Sequence, residues 1–288
     1  MNYLLSKRPV LMGIMNVNPD SFFPPSRAQS EAEMKARMAD LLERNCTILD
    51  IGAVSTRPGA PDVPPEEEWR RLEPALRLAH EKMLALNASA TETAPATGTA
   101  HLADMASTAE TAPAAAGKTA TSNAGFYQIS IDTFRSEIVR KAYALIGPFI
   151  VNDISAGEDD EAMLETVAEL GLPYIAMHKR GNPRSMDTFI DYPQGVVTAV
   201  LEYFDEFSRK AASMGIKDWI VDPGFGFAKT SEQNWELLGE MKQFKRFGRP
   251  LLIGVADKRF TKDPLYNKGD LGLAEKMAWD DADILRIH

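Results

Sequence analysis

Short apolar runs recur along the chain and alternate with longer amphipathic segments. The runs are rich in β-branched residues and almost continuously hydrophobic, which is typical of parallel strands covered on both faces. They predict eight strands, VLMGIMNV (10–17), TILDIGA (47–53), QISIDTF (128–134), FIVNDIS (149–155), PYIAMHK (173–179), WIVDPGF (219–225), PLLIGVA (250–256) and DILRIH (283–288).

The segments between these runs have helical periodicity. Ser30 is placed to cap a helix over SEAEMKARMADLLERN, and Pro65 precedes EEEWRRLEPALRLAHEKML; RSEIVRKAYAL, EDDEAMLETVAEL and residues 194–214 follow the same pattern. Regular alternation of strand and helix predicts one (β/α)₈ barrel, a TIM barrel in the α/β class, over residues 1–288. The last predicted strand ends at the last residue, so the expected barrel lacks its final C-terminal helix.

One segment has a different composition. Residues 87–125 contain 14 Ala and 8 Thr in 39 positions and almost no large apolar side chain. Such a stretch buries too little surface to offset its ordering entropy. Pro95, Pro113, Gly98 and Gly117 in its interior argue against one Ala-rich helix. We therefore predict a disordered, low-complexity surface insert; the rest of the chain is close to the ~250 residues of one barrel.

Composition excludes several classes of protein. The net charge is −9 and the isoelectric point is near 5.1, which disfavours binding to nucleic acid or to anionic membranes. Cys46 is the only cysteine, so no internal disulfide forms, as is usual in a reducing cytosol. The sequence has no apolar run of ~20 residues and no recognisable signal peptide. We expect a cytoplasmic enzyme acting on small molecules.

Polar side chains stand at the ends of almost all predicted strands. Active sites of parallel barrels lie where strands end and the following loops begin. The residues at this rim are Asn16, Arg57, Asp132, Asn152, Asp222, Lys258, Arg286 and His288.

The residue types at the rim suggest a ligand. Asp132, Asn152 and Asp222 interrupt apolar strands and are suited to hydrogen bonding with the edge of a flat heterocycle that carries an amide or a guanidine group. Lys258 offers a charge to ring acceptors, and the guanidinium of Arg286 is able to stack on the ring. Taken alone, Lys258 is also compatible with a Schiff-base nucleophile.

A second group of rim residues is suited to an anion. Asn16, Arg57 and His288 are placed to surround a phosphate or diphosphate, together with helix N-termini. A strand-end Asp or Asn is often only a cap of the next helix, and we assign Asp20 and Asp153 to that structural role. Residue types alone thus indicate a planar heterocycle with an anionic tail and do not name the substrate.

At these residues the sequence resembles dihydropteroate synthase. The resemblance rests on GIMNVNPDSF (13–22), DIGAVSTRPGA (50–60), SIDTFRSEIVRKA (130–142), VNDISAG (151–157), AMHKRG (176–181), WIVDPGFGFAKTSEQNWELL (219–238), DKRFTK (257–262) and ADILRIH (282–288). It implies a (β/α)₈ barrel that joins p-aminobenzoate to a hydroxymethyl-dihydropterin diphosphate and releases diphosphate with the help of Mg²⁺. A homodimer is expected.

The resemblance also implies a role for each rim residue. The pterin would be bound by Asp132, Asn152, Asp222, Lys258 and Arg286. The diphosphate would be bound by Asn16, Arg57 and His288, with Asn16 as the Mg²⁺ ligand. The p-aminobenzoate would be bound by Thr56, Pro58, Phe225 and Arg259. The residues assigned to catalysis are Arg57, Lys258, Arg286 and His288.

Three alternatives remain open at the level of sequence. One is a pterin-binding protein of the same fold with weak or lost turnover, because Val54 and Asp257 stand where the family usually has Glu and Arg. Another is a barrel like the methyltetrahydrofolate methyltransferases. The third is an aldolase that uses Lys258 to form a Schiff base.

Overall fold

The computed structural model describes residues 9–18, 30–55, 63–93, 127–181 and 188–288. Eight parallel strands form one sheet in the order β6-β5-β4-β3-β2-β1-β8-β7. A bridge between Val221 and Leu251 joins the two ends of this order and closes the sheet into a barrel. The strands are β1 (Val10–Asn16), β2 (Cys46–Gly52), β3 (Gln128–Asp132), β4 (Ile150–Asp153), β5 (Tyr174–Met177), β6 (Trp219–Asp222), β7 (Leu252–Ile253) and β8 (Ile284–Ile287).

One α-helix follows each of the first seven strands in the described part of the chain. These helices are α1 (Glu31–Glu43), α2 (Pro65–Thr93), α3 (Ser136–Ile146), α4 (Met163–Leu170), α5 (Val196–Ser213), α6 (Ser231–Gly239) and α7 (Leu273–Asp281). Short 3₁₀ helices cover Met241–Phe247 and Arg259–Lys262. The predicted (β/α)₈ barrel is confirmed, and no helix follows β8 in the given sequence. None of the described helices is long and apolar enough to cross a membrane.

Two helices begin at caps that are readable in the sequence. Ser30 accepts a hydrogen bond from the amide of Glu33, whose carboxylate accepts one from the amide of Ser30, at 3.3 and 2.8 Å. Thr230 and Gln233 form the same reciprocal arrangement before α6. A capping box satisfies amides that have no partner within the helix, so both helices start where polar residues precede the helical pattern.

Most strands are shorter than predicted. The strand predicted over 250–256 contains only Leu252–Ile253, and the third strand ends at Asp132 instead of 134. After β7 the amide of Lys258 donates to the carbonyl oxygen of Val255 at 3.2 Å and closes a turn, in which Asp257 adopts a left-handed conformation with φ of 57°. The apolar runs thus marked the right elements, but they also included residues of the loops that follow.

The predicted insert begins later than expected. Residues 87–93 form the end of α2 instead of belonging to a disordered segment. The side chain of Asn87 bonds the backbone of Tyr127 twice, at 3.0 and 2.8 Å, where the chain enters β3. High helix propensity of alanine and this double contact explain the extension. The remainder of the predicted insert, 94–125, lies outside the described residues.

We expect Asn87→Ala to destabilise the fold without impairing the site. Substitution removes two bonds that join the end of α2 to the start of β3 and leaves backbone groups of Tyr127 unpaired. The free energy of unfolding should fall by roughly 1–2 kcal/mol, measured by urea denaturation. Asn87→Asp keeps an acceptor for the amide of Tyr127 and should lose less stability than Asn87→Ala. Equal stability of Asn87→Ala and wild type would show that the contact does not support the fold.

The barrel interior contains a polar layer above an apolar one. The apolar layer is formed by Met12, Ile48, Ile150, Ile175, Ile220, Leu252 and Ile284. Because strand side chains alternate between faces, residues two positions further along also point inward. On six of the strands these positions are Asp50, Asn152, Met177, Asp222, Gly254 and Arg286. The fold therefore places charged and amide groups directly above a hydrophobic floor.

Candidate active site

A cavity opens above the polar layer at the C-terminal ends of the strands. Its lining is formed by Asp132, Asn152, Ile154, Met177, Asp222, Phe225, Phe227, Gly254, Lys258 and Arg286. It brings together all five side chains that the sequence assigned to the heterocycle. Phe225, which was assigned to the p-aminobenzoate site, lies in the wall of the same cavity.

Arg286 on β8 is held by two carboxylates from other strands. Its Nε donates to Asp50 Oδ2 at 2.7 Å, and its Nη2 donates to Asp132 Oδ2 at 2.9 Å. Burial opposes the guanidinium charge, but the neighbouring carboxylates of Asp50 and Asp132 outweigh burial and raise the pKa of Arg286. The arrangement fixes a cation at the mouth of the barrel with little freedom to rotate.

Asp50 on β2 is a site residue that sequence reasoning did not single out. It is fully buried. Besides the hydrogen bond from Arg286, it accepts hydrogen bonds from Nδ2 of Asn152, which lies 3.2 Å from both carboxylate oxygens. A charged residue in the middle of the apolar strand TILDIGA was the available signal, because a buried carboxylate requires a partner. Asp50 thus orients both Arg286 and Asn152.

Two other carboxylates in the cavity have raised pKa values. Burial raises the pKa of Asp222, against the opposing effects of a 2.9 Å bond from the amide of Gly224 and of the charge on Lys258. Burial also raises the pKa of Asp132, and the positive charge of Arg286 opposes this effect. Ligand N–H groups placed against these carboxylates would supply partners that burial has removed.

Lys258 follows β7 and points into the cavity. Its Nζ lies 4.7 Å from the centre of the Phe227 ring. Burial, together with the charge of Arg286, lowers the pKa of Lys258 to about 8. None of the described residues forms a salt bridge with Nζ, so a ligand acceptor is able to take its hydrogen bonds.

The turn after β6 forms one wall of the cavity, and glycine is required within it. Gly224 has φ of 69°, and a Cβ added there would lie 1.9 Å from the carbonyl oxygen of His178. This close approach presses the turn against the end of β5. Phe225 is buried with its ring stacked on Phe260 at 5.9 Å, while Phe227 faces Lys258.

Asn16 and His288 occupy the rim beside this cavity but are not among its lining residues. They lie at the ends of β1 and β8, which are neighbours in the sheet. Gly52 stands between Asn16 and Asp132, since a Cβ added there would lie 3.6 Å from Asn16 Oδ1 and 3.2 Å from Asp132 Cβ. Burial and the charge of Arg286 lower the pKa of His288 to about 4, so its imidazole is neutral at pH 7.

The remaining assignments have different outcomes. Arg259 is exposed in the 3₁₀ helix after Lys258 and does not line the cavity. Thr56, Arg57, Pro58 and Asp20 lie outside the described residues. Asp153 accepts hydrogen bonds from Ser155 and Gly157 in the loop after β4 and from the hydroxyl of Tyr174 on β5, so its role is structural, but it does not cap the next helix, which begins after Ala162.

Comparison with known proteins gives consistent matches. Residues 12–105 and 113–287 match the family described as pterin binding enzyme. The chain is 30% identical to dihydropteroate synthase of Escherichia coli strain K12, over 97% of this chain and 86% of that protein. It is 32% identical to the Synechocystis dihydropteroate synthase, over 98% of this chain and 86% of that protein.

Two further matches extend this picture. The structure of Xanthomonas albilineans dihydropteroate synthase with 4-aminobenzoic acid superimposes with a TM-score of 0.69 at 28% identity, covering 98% of this chain and 88% of that one. The folic acid synthesis protein fol1 of Pneumocystis carinii is 33% identical over 96% of this chain, which spans only about 34% of that longer protein. The chain therefore belongs to the family of pterin-binding enzymes, among the dihydropteroate synthases.

Proposed function

We propose that this chain is a dihydropteroate synthase, which condenses 6-hydroxymethyl-7,8-dihydropterin diphosphate with p-aminobenzoate to give 7,8-dihydropteroate and diphosphate. The observation that carries the proposal is the cavity in which Asp132, Asn152, Asp222, Lys258 and Arg286 meet above an apolar floor. A pterin ring has a donor-rich edge, ring acceptors and a flat face, and these residues supply a counterpart for each.

Each cavity residue has a role in holding the ring. The Asp222 carboxylate accepts two N–H groups from the guanidine-like edge, and the Asn152 amide, oriented by Asp50, pairs with a mixed edge. Lys258 donates to ring acceptors. Arg286, clamped between two carboxylates, offers the face of its guanidinium for stacking.

The diphosphate would be bound at the rim beside the cavity. Asn16, Arg57 and a neutral His288 are the residues we assign to it. The described residues contain no group of three or more His, Cys, Asp or Glu side chains that could hold a metal ion. Asn16 nevertheless fits as a single Mg²⁺ ligand, because Mg²⁺ typically takes few protein ligands and completes its shell with phosphate oxygens and water. When bound, Mg²⁺ would neutralise charge on the leaving diphosphate.

The reaction needs charge stabilisation more than proton transfer. The bond between the methylene carbon and the diphosphate oxygen breaks, and its electron pair leaves with the diphosphate. The positive charge left on the methylene carbon spreads into the electron-rich pterin. Asp132 and Asp222, oriented before the reaction, stabilise this charge. The amine nitrogen of p-aminobenzoate then forms the new C–N bond and loses one proton to solvent.

The direct test is release of diphosphate from the pterin substrate, measured with and without p-aminobenzoate. We expect release that depends on p-aminobenzoate and matches the dihydropteroate formed. Pterin binding without release would assign the chain to a binding protein instead. Covalent trapping of a carbonyl substrate on Lys258 by borohydride would indicate an aldolase. The synthase reaction forms no Schiff base, so no such trapped adduct is expected.

The activity should also decline in alkaline solution. The ammonium of Lys258 binds ring acceptors best when protonated, and its pKa is lowered to about 8. Because kcat/KM reports the ionisation of the free enzyme, kcat/KM for the pterin substrate should fall as the pH rises through that value. Lys258→Met should have a lower kcat/KM, and its kcat/KM should fall less than that of wild type as the pH rises through about 8. A wild-type profile unchanged across the same range would contradict the role assigned to Lys258.

A further inference from the structure

Lys229 is a buried lysine at the end of the turn that follows β6. It is 9% exposed, and its Nζ donates to the carbonyl oxygens of Gly224 and Phe227 at 2.9 and 3.0 Å. The third contact of Nζ is with His178 Nδ1 at 3.0 Å. An ammonium has three N–H donors, so these three acceptors satisfy it completely.

The partners of Lys229 belong to the wall of the cavity. Gly224 and Phe227 begin and end the turn that contains Phe225, and both phenylalanine rings line the cavity. The turn is also held by the amide of Gly226, which donates to Asn234 Oδ1 at 2.7 Å. Lys229 thus bonds two carbonyl groups of this turn, one at each end.

His178 connects the same lysine to the neighbouring strand. Its amide donates to the carbonyl of Asp222 at 3.0 Å. Burial and the charge of Lys229 hold the pKa of His178 well below its usual value, so the imidazole is neutral. With a protonated lysine as donor, Nδ1 is the acceptor and the ring proton lies on Nε2.

The charge of Lys229 has no carboxylate in direct contact. Lys229 forms no salt bridge in the part of the chain that the structure describes, although the charge of Asp222 on β6 favours its protonation. Burial, and then Lys258 after β7 and Arg180 after β5, oppose that charge and lower the pKa of Lys229 to about 7. A buried cation that bonds only neutral acceptors is costly for stability, which points to a role beyond folding.

We infer that Lys229 is a positioning residue for the pterin: its ammonium fixes the turn from Gly224 to Phe227 and, through this turn, the aromatic wall against which the ring binds. The inference rests on the proposed function, because the ring is the expected ligand of that wall. Lys229 itself is not a catalytic residue, since its three donors are already used within the protein.

The test is a steady-state comparison of wild type with Lys229→Met, which keeps the length of the side chain and removes the donors. We expect KM for the pterin diphosphate to rise about tenfold while kcat changes less than about threefold, because the wall contacts the ring and not the leaving group. If the substitution only reduced the fraction of folded enzyme, the apparent kcat would fall and KM would stay unchanged. A KM of the variant within about twofold of wild type, whatever its kcat, would overturn the inference.

A matched control is available one strand away. Lys179 is also buried, at 5% exposure, but it pairs with Asp159 at 2.8 Å and does not touch the turn. Lys179→Met should leave KM unchanged. Lys229→Gln, a neutral donor of two N–H groups, should raise KM less than Lys229→Met does, and it carries the test if the methionine variant does not fold.

Calorimetry separates this inference from the proposed function. Failure of wild type to release diphosphate would refute the synthase activity alone. Binding of the pterin would still be measurable, and Lys229→Met should weaken it about tenfold relative to wild type and to Lys179→Met. Equal dissociation constants for the three proteins would refute the role of Lys229 whether or not turnover occurs.

Discussion

Asp222→Asn should leave the barrel folded and abolish pterin binding. An asparagine still accepts the 2.9 Å bond from the Gly224 amide, but it replaces a two-point acceptor with a group that also donates. Its NH₂ would face the N–H groups of the ring inside a buried cavity. The loss should be roughly 2–4 kcal/mol, or about 30- to 1000-fold in Kd by calorimetry. An affinity within about threefold of wild type would contradict this role.

A second buried carboxylate provides the control for Asp222. Asp153 ends β4, two strands away from β6 in the sheet, and burial raises its pKa as well, but its oxygens accept hydrogen bonds from Ser155, Gly157 and Tyr174. Asp153→Asn should lower the free energy of unfolding by roughly 1–3 kcal/mol and leave pterin affinity unchanged. The two variants should thus have opposite effects. Asp222→Asn should lose pterin binding and keep its stability, whereas Asp153→Asn should lose stability and keep its pterin binding.

Arg286→Met should impair both stability and binding. Substitution leaves the carboxylates of Asp50 and Asp132 facing each other without their shared cation, and Asp50 is fully buried. Removing one partner of a buried ion pair typically costs about 3–5 kcal/mol. We expect a loss of that order in chemical denaturation, together with loss of measurable pterin binding, because the stacking guanidinium is gone.

The double variant Asp50→Asn with Arg286→Met distinguishes the two effects. Neutralising Asp50 removes the stranded charge, so this variant should recover part of the stability lost in Arg286→Met. Binding should not recover, because the ring still lacks the guanidinium. If the double variant lost as much stability as the sum of the losses in Asp50→Asn and Arg286→Met, Asp50 and Arg286 would not be energetically coupled.

The fold and much of the cavity could be predicted because their signals are local. A run such as WIVD marks a strand through its apolar character, and a polar residue at its end marks the rim of a parallel barrel. Asp132, Asn152 and Asp222 were found in this way. The caps at Ser30 and Thr230 are equally local, because a capping box involves residues only three positions apart.

Other features depend on contacts between distant residues. The clamp on Arg286 joins β8 to β2 and β3, so the sequence alone does not reveal that Asp50 is its partner. Lys229 lies in the motif at 219–238 that carries part of the family resemblance. Its role does not follow from that motif, because it depends on how the turn folds back around the ammonium. The end of α2 was misplaced because the contact of Asn87 with Tyr127 spans 40 residues of sequence.

The most direct test of the account is a crystal structure with a bound 6-hydroxymethylpterin. We expect the ring inside the barrel mouth, with its donor-rich edge on Asp222 and Asn152, its face against Arg286, and its hydroxymethyl group directed toward Asn16 and His288. A ring bound outside this cavity, with Asp222 and Asn152 free of ligand contacts, would contradict the central claim.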